Sequence, residues 1–330
     1  MQKKGKKMIS VAMTTYNGAL YLKKQLDSIL FQTMPIDELI ICDDGSKDNT
    51  KEIIQMYQKR YPQIHFYENK ENLGYKLNFK KAMSLCSGDY IFLCDQDDIW
   101  MEDKVEKMIN KIKENPKIQV LASSFIYINQ KDEEIKTNLD SNKSNNNLYL
   151  KPVKENDCVP VSFEEYYNHN YFQGCSLLLK KEIKNKVVDH FSIRVAHDYL
   201  INFTAAKEEG MYFWNLPLFQ YRLHENNTIG VVDQNISFIQ KMRNRNTLKI
   251  RSLLAEDGLS MLEALKETDP SFYQKRESYY ENKIVFYKEH LKYLKDRNFF
   301  ALLLENKNPY YKEFKGWKAR IMDLLYAMMG

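Results

Sequence analysis

Apolar residues gather in short runs along this chain, separated by longer stretches with helical spacing. Ile9–Thr15, Glu38–Cys42, Ile64–Tyr67 and Tyr90–Cys94 are rich in branched and aromatic residues and end in polar turn residues, the mark of buried strands. Between them, Leu22, Leu26, Ile29 and Leu30 repeat at helical spacing, as do Ile53, Ile54 and Tyr57, and a third helix runs through Leu77 to Met83. Asn17 reads as the cap of the first helix and Asp48 as the cap of the second, with Pro35 as a break between elements. Strands alternating with helices in this way predict an α/β architecture with a parallel, doubly wound sheet and right-handed crossovers.

Beyond Trp100 the pattern predicts a charged helix from about Glu102 to Glu114 and a strand within Ile118–Ile128. Lys131–Asn147 is polar and reads as a loop. A strand over Cys175–Leu179, a helix from His197 to Glu208 and strand-like runs at Phe213 and Phe219–Leu223 follow. From about Asn235 the chain reads as helical to the end. The expected division is therefore 1–234 as an α/β domain and 235–330 as a helical region.

Net charge adds a second asymmetry. The formal charge is +5, yet from residue 235 onward there are 18 Lys+Arg against 12 Asp+Glu. Asn235–Arg251 has five basic residues and no acidic ones. An excess of this kind suits an anionic surface; it is too dilute for nucleic acid, and no nucleic-acid motif accompanies it. Phe314, Trp317, Ile321, Leu324, Leu325 and Met328 fall on one helical face beside Lys312, Lys315, Lys318 and Arg320. That stripe fits a helix lying in a membrane interface, and equally one packed on the protein or on a second subunit of a homo-oligomer. No apolar run approaches the ~18 residues of a spanning helix, and the apolar stretch after the basic N-terminus is too short for a signal peptide. The expected location is the cytoplasm, with peripheral attachment to the inner face of the cell membrane as the role of the C-terminal stripe. Five scattered cysteines without a CxxC pair indicate neither a zinc site nor a disulfide framework.

The chemistry-bearing residues cluster at predicted strand ends. Asp95, Asp97 and Asp98 follow the Tyr90–Cys94 strand within four residues. Their mutual repulsion is costly unless a cation or hydrogen-bond donors offset it, and carboxylates are ligands that hard divalent ions prefer. In an open α/β sheet, ligands bind at the carboxyl ends of the strands. A solvated acidic turn is the plainer alternative. Thr14 and Tyr16 end the first strand, where they can line a base pocket, and stacking of Tyr16 on a base is worth ~1–3 kcal/mol. Asp43 and Asp44 stand in a turn that local side-chain bonds alone could explain. Lys76 can face a diphosphate or simply be a solvated helix lysine.

The order of seven segments resembles the inverting family 2 glycosyltransferases, which have the Rossmann-like, nucleotide-sugar-binding GT-A fold. The segments are VAMTTYNG at 11–18, IICDDGSKDNT at 40–50, ENLGYKLNF at 71–79, FLCDQDDIW at 92–100, FQGCSLLL at 172–179, AHDYL at 196–200 and YRLHENNTIG at 221–230. The resemblance covers about residues 8–230. The DQDDIW form and the YRxHxxNTxG ending look most like the rhamnosyltransferase branch, which uses a dTDP-sugar. The resemblance implies that Asp43 accepts the pyrimidine N3–H. It also implies that Asp95 contacts the ribose or metal, that Asp97 coordinates Mg²⁺ or Mn²⁺, and that His224 is a further metal ligand. Asp198 takes the position of the catalytic base, with Gln173, Gly174 and His197 on the acceptor side. A packed histidine and a helix N-cap are the plainer readings of His224 and Asp198.

The expected activity is metal-dependent, inverting transfer of a sugar, L-rhamnose from dTDP-rhamnose, onto a glycan or lipid-linked acceptor in cell-surface polysaccharide synthesis. A UDP-hexose donor and a non-catalytic sugar-nucleotide binder are the competing readings. A binder needs no base, so Asp95, Asp97 and Asp198 together weigh against the second. A pyrophosphorylase would need a glycine-rich phosphate loop after the first strand, which this sequence lacks.

Overall fold

The computed structural model describes residues 7–166, 169–224 and 247–328. The described residues divide into two compact units, Met1–Tyr166 with Asn170–Val231, and Tyr167–His169 with Val232–Gly330.

In the first unit β1 (Ile9–Thr15), β2 (Glu38–Asp43), β3 (Ile64–Glu68) and β4 (Tyr90–Cys94) alternate with α1 (Leu22–Leu30), α2 (Thr50–Gln58) and α3 (Gly74–Leu85). β5 (Ile99–Trp100), α4 (Lys104–Glu114), β6 (Val120–Ile128), β7 (Cys158–Pro160), α5 (Phe163–Tyr166), β8 (Leu177–Lys180), α6 (Lys181–Asp189), α7 (His197–Lys207) and β9 (Met211–Arg222) follow. The sheet runs β3-β2-β1-β4-β8-β6-β9-β5, with β7 pairing on β9. Pairing is parallel from β3 through β4, as the alternating pattern predicts. The second half corrects that expectation. β8 lies antiparallel between β4 and β6, and β5 and β7 pair antiparallel with β9, while β6 and β9 are parallel. The sheet is therefore mixed.

Register decides what the sheet presents. Thr15 pairs with Asp43 and Met13 with Cys94, so the carboxyl ends of β1, β2 and β4 finish side by side. Beneath them Val11, Met13, Leu39, Ile41 and Phe92 are buried against Leu22, Leu26 and Ile29 of α1. Three local expectations change. Asn17 is not a helix cap: it has φ +50°, and its Oδ1 accepts the Lys47 N–H at 2.8 Å, while α1 begins after Tyr21. Asp48 stands one residue before the α2 cap; its Oδ1 accepts the Thr50 N–H at 3.1 Å and its Oδ2 accepts the Ala19 N–H at 3.0 Å. Cys175 lies in a 3-10 turn, Gly174–Ser176, that precedes β8.

The second unit carries α8 (Leu248–Thr268), α9 (Pro270–Gln274), α10 (Glu277–Lys295), α11 (Phe299–Glu305), α12 (Pro309–Phe314) and α13 (Trp317–Met328). Phe314 ends α12 and is buried, so it does not share the stripe of α13. No helix among the described residues is long and apolar enough to cross a membrane. The 225–230 part of the YRLHENNTIG segment and the basic stretch up to residue 246 lie outside the described residues.

Candidate active site

A cleft of about 940 Å³ opens in the first unit at the carboxyl ends of β1 and β4, where side chains leave the sheet unpaired. Thr14, Tyr16, Asp95, Asp97, Gln173, Gly174, His197, Asp198 and His224 all line it.

Tyr16 is held by its backbone. The Gln96 side chain accepts the Tyr16 N–H at 2.8 Å and donates to the Tyr16 carbonyl at 3.0 Å, leaving the ring exposed at the cleft. The grip needs a glycine nearby, because a Cβ on Gly18 would lie 2.1 Å from Gln96 Oε1. Gln96 was not legible as a site residue, since its partner lies 80 positions away.

Two expected residues are not among those lining the cleft. Asp43 is buried, and its carboxylate closes the turn after β2. Oδ2 accepts the Thr15 and Ser46 hydroxyls, and Oδ1 accepts the N–H groups of Gly45 and Ser46. A base N3–H would have to displace one of these donors. Lys76 donates to the Ile193 carbonyl at 2.9 Å. Asp44, by contrast, reaches the cleft and accepts the N–H groups of Leu73 and Gly74 at 2.8 Å, fixing the start of α3.

The acidic group is drawn together by β9. Arg222, fully buried, donates from Nε to the Asp97 carbonyl at 2.7 Å and from its backbone N–H to Asp98 Oδ1 at 3.1 Å. Two residues on, His224 Nε2 lies 2.7 Å from Asp97 Oδ2. Asp95 is pushed up to about 7 by burial and then by the negative charge of Asp97 and Asp198. Asp98 is raised well above the usual carboxylate range by burial and the same kind of repulsion. Lys104 is fully buried below them; it donates to the Cys175 carbonyl at 2.7 Å and lies over the Trp100 and Phe219 rings.

This donor set fits a hard divalent cation. Asp95 and Asp97 offer carboxylate oxygens, His224 offers an imidazole nitrogen, and a positive ion would offset the burial and repulsion that raise Asp95. A second grouping, Asp95, Asp98 and Cys175, has ligand atoms within 4.8 Å of one another. Burial holds the Cys175 thiol well above its ordinary value, and sulfur is a poor match for such ions, so that grouping suits Mg²⁺ or Mn²⁺ less well.

Asp198 opens α7 and is nearly buried. Its Oδ1 accepts the Tyr199 N–H at 2.7 Å, yet burial lifts the carboxyl to about 6. Beside it, His197 stacks on Phe79 at 3.9 Å and is held neutral by burial, its value lowered to about 3. Neither ring nitrogen of His197 has a hydrogen-bond partner among the described residues. Gly174 makes room for the ring, since a Cβ there would lie 2.6 Å from His197 Nε2. A neutral imidazole and a carboxyl with a value near neutrality thus share one wall of the cleft.

The model of the family described as glycosyl transferase family 2 matches residues 10–177, just over half of the chain. The chain belongs to glycosyl transferase family 2. An uncharacterized glycosyltransferase of Rickettsia typhi is 26% identical over 67% of this chain and 65% of its own length. The dTDP-rhamnosyl transferase RfbG of Shigella flexneri is 29% identical over 74% of this chain and 86% of its own length. The crystal structure of S. aureus TarS 1–349 with UDP-GlcNAc superposes with a TM-score of 0.56 at 14% identity, covering 98% of this chain and 92% of that one. At that identity the likeness shows the fold alone. The fold is GT-A, with a helical C-terminal region.

Proposed function

We propose that this chain is a metal-dependent, inverting glycosyltransferase that moves L-rhamnose from dTDP-rhamnose onto a glycan or lipid-linked acceptor in cell-surface polysaccharide synthesis. The observation that carries the reading is a single cleft lined by both the Asp97–His224 pair and Asp198. Thr14 and Tyr16 receive the base, and Asp95 the ribose or the cation. When bound, Mg²⁺ or Mn²⁺ supplies positive charge against the departing diphosphate. Asp198 takes the proton of the acceptor hydroxyl as its oxygen attacks the anomeric carbon. The bond to the diphosphate breaks and the configuration inverts. His197 and Gln173 hold the acceptor. Residues 1–234 carry this chemistry.

The rhamnose donor is supported by the likeness to RfbG, which spans most of that protein. The test is calorimetry and turnover with dTDP-rhamnose and with UDP-hexoses, in Mn²⁺, in Mg²⁺ and with excess EDTA. The proposal expects dTDP-rhamnose to bind more tightly and to turn over only with metal, and Asp97→Ala to abolish both metal-dependent binding and transfer. Faster turnover of a UDP-hexose overturns the donor. Full activity in EDTA overturns the metal.

A further inference from the structure

We infer that the outer face of α11 and α13 seats on a lipid bilayer carrying anionic headgroups. A helix at the surface of a globular protein normally turns its apolar stripe inward. Here two neighbouring helices pack some apolar residues inward and turn a second apolar set outward. The buried residues of α13 are Asp323 and Tyr326, while Trp317, Ile321, Leu325 and Met328 are exposed. These four recur at spacings of four, four and three, one face of a helix. In α11 the buried residues are Leu302 and Glu305, and Phe300, Leu303 and Leu304 face solvent. Leu302, Leu324 and Tyr326 pack the two helices together, so the outward residues stand on adjoining helices.

The orientation is set by buried charge. Lys315 Nζ donates to Asp323 Oδ2 at 2.7 Å and the Tyr311 hydroxyl donates to the same oxygen at 2.7 Å, while Glu305 Oε2 lies 2.6 Å from His290 Nδ1. Rotating α13 to hide Trp317 would pull Asp323 out of that cluster. The apolar face is therefore held outward by groups that are expensive to separate.

Charge selects the occupant. Between residues 297 and 328 the acidic residues are Glu305, Glu313 and Asp323. Glu305 and Asp323 are buried, and Glu313 accepts from Lys283 Nζ at 2.9 Å. Lys307, Lys312 and Lys318 are exposed on the same segment. A second copy of the chain would bring like charge against like across a two-fold contact. An anionic bilayer satisfies both the apolar stripe and its cations. This inference does not depend on the donor or the metal.

The chain carries its own reporter. Trp317 is 62% exposed, whereas Trp100 and Trp214, the other two tryptophans, are 3% and 8% exposed. The experiment mixes the full chain with phosphatidylcholine vesicles, with and without phosphatidylglycerol, and follows flotation, tryptophan emission and quenching by brominated acyl chains. The expected result is flotation, a blue shift and quenching with phosphatidylglycerol only. Ile321→Asp with Leu325→Asp should weaken partitioning by about tenfold or more, and so should Lys312→Glu with Lys318→Glu, each with an unchanged melting temperature. Absence of flotation on the anionic vesicles overturns the inference, as does binding that leaves Trp317 emission and quenching unchanged. A stable oligomer by sedimentation equilibrium that Ile321→Asp dissociates, without vesicle binding, assigns the face to a second copy and also overturns it.

Discussion

Two of the charge clusters among the described residues are built differently. Asp95, Asp97 and Asp198 line the cleft and Asp98 is buried beside Asp97, and burial and then repulsion raise Asp95 and Asp98 above their ordinary range. The buried cation beneath them, Lys104, is committed to a backbone carbonyl and two aromatic faces. In the helical unit, Lys315 Nζ donates to Asp323 at 2.7 Å, to the Arg251 carbonyl at 2.8 Å and to His290 Nε2 at 3.0 Å, and His290 in turn pairs with Glu305. The second group is almost wholly removed from water, while Asp95 and Asp97 of the first are partly exposed. In the second, Lys315 meets Asp323, and Glu305 and His290 meet each other while burial drives that pair toward its neutral form, so every member has a hydrogen-bond partner and the cluster can hold three helices and Lys315 in one arrangement. The first turns its carboxyls toward an open cleft, where a bound cation could offset their repulsion, and that access to a ligand marks a site rather than a brace.

The sharpest way to break the comparison is to remove one charge from the cleft. Asp198→Asn keeps the shape of the proposed base and removes its proton acceptor. Turnover should fall by ~10²–10⁴-fold, while donor binding stays near wild type and the protein becomes no less stable, because an unfavourable buried carboxyl has been neutralised. In the wild type the carboxyl, at about 6, must be ionised to act, so kcat/KM should fall tenfold per unit below about pH 6. Single-turnover rates across pH, with calorimetry of the donor on the same samples, check both. A variant that binds donor normally and retains more than about a tenth of the wild-type rate assigns the base elsewhere.

The sequence made one group much easier to see than the other. β1, β2 and β4 were legible because uninterrupted branched runs bounded by turn residues have few other readings, and the acids at their ends could then be placed. The direction of β8 was not legible, since a four-residue apolar run looks the same parallel or antiparallel and its partner is chosen by tertiary packing. Arg222 escaped for a related reason. Its work is to bind carbonyls of Asp97 and Asn129, more than ninety residues earlier, and nothing beside it in the sequence announces that. Asp43 shows how far a local reading reaches: the bonds of a turn in the DDG stretch are formed, and the same carboxylate is the one that resemblance assigns to the pyrimidine N3–H. In α13 the apolar stripe was legible but not its direction, because the direction is fixed by where Asp323 finds Lys315.

A cut in the second group should do the reverse of a cut in the cleft. Lys315→Met leaves Asp323 and the His290–Glu305 pair without their shared donor. Breaking a buried pair from one side costs about 3–5 kcal/mol, so chemical denaturation should show a loss of that size. Transfer per folded molecule, measured at a temperature where the variant is still folded, should stay within about twofold of wild type if this cluster is only a brace. Loss of turnover in a folded Lys315→Met protein would mean that the helical unit feeds into the chemistry.

The smallest effect separates the two partners inside that cluster. Burial raises Glu305 from 4.5 to about 8 and lowers His290 from 6.5 to about 2. Below 4.5 the unfolded pair binds two protons and the folded pair one, so stability falls as pH falls. Between 4.5 and 6.5 each state binds one proton, and the two shifts cancel. Between 6.5 and 8 the folded pair keeps a proton that the unfolded chain has released, so stability falls as pH rises, by about 2 kcal/mol at 1.36 kcal/mol per unit. Glu305→Gln still accepts from His290 Nδ1 but has no proton to lose. Its stability should stay level across that window and should exceed that of the wild type above pH 8. Urea midpoints at intervals from pH 6 to 9 measure the difference. Parallel curves for the two proteins would show that Glu305 enters the fold ionised and that Lys315 balances it as well as Asp323, making this cluster more tightly compensated still than the geometry alone requires.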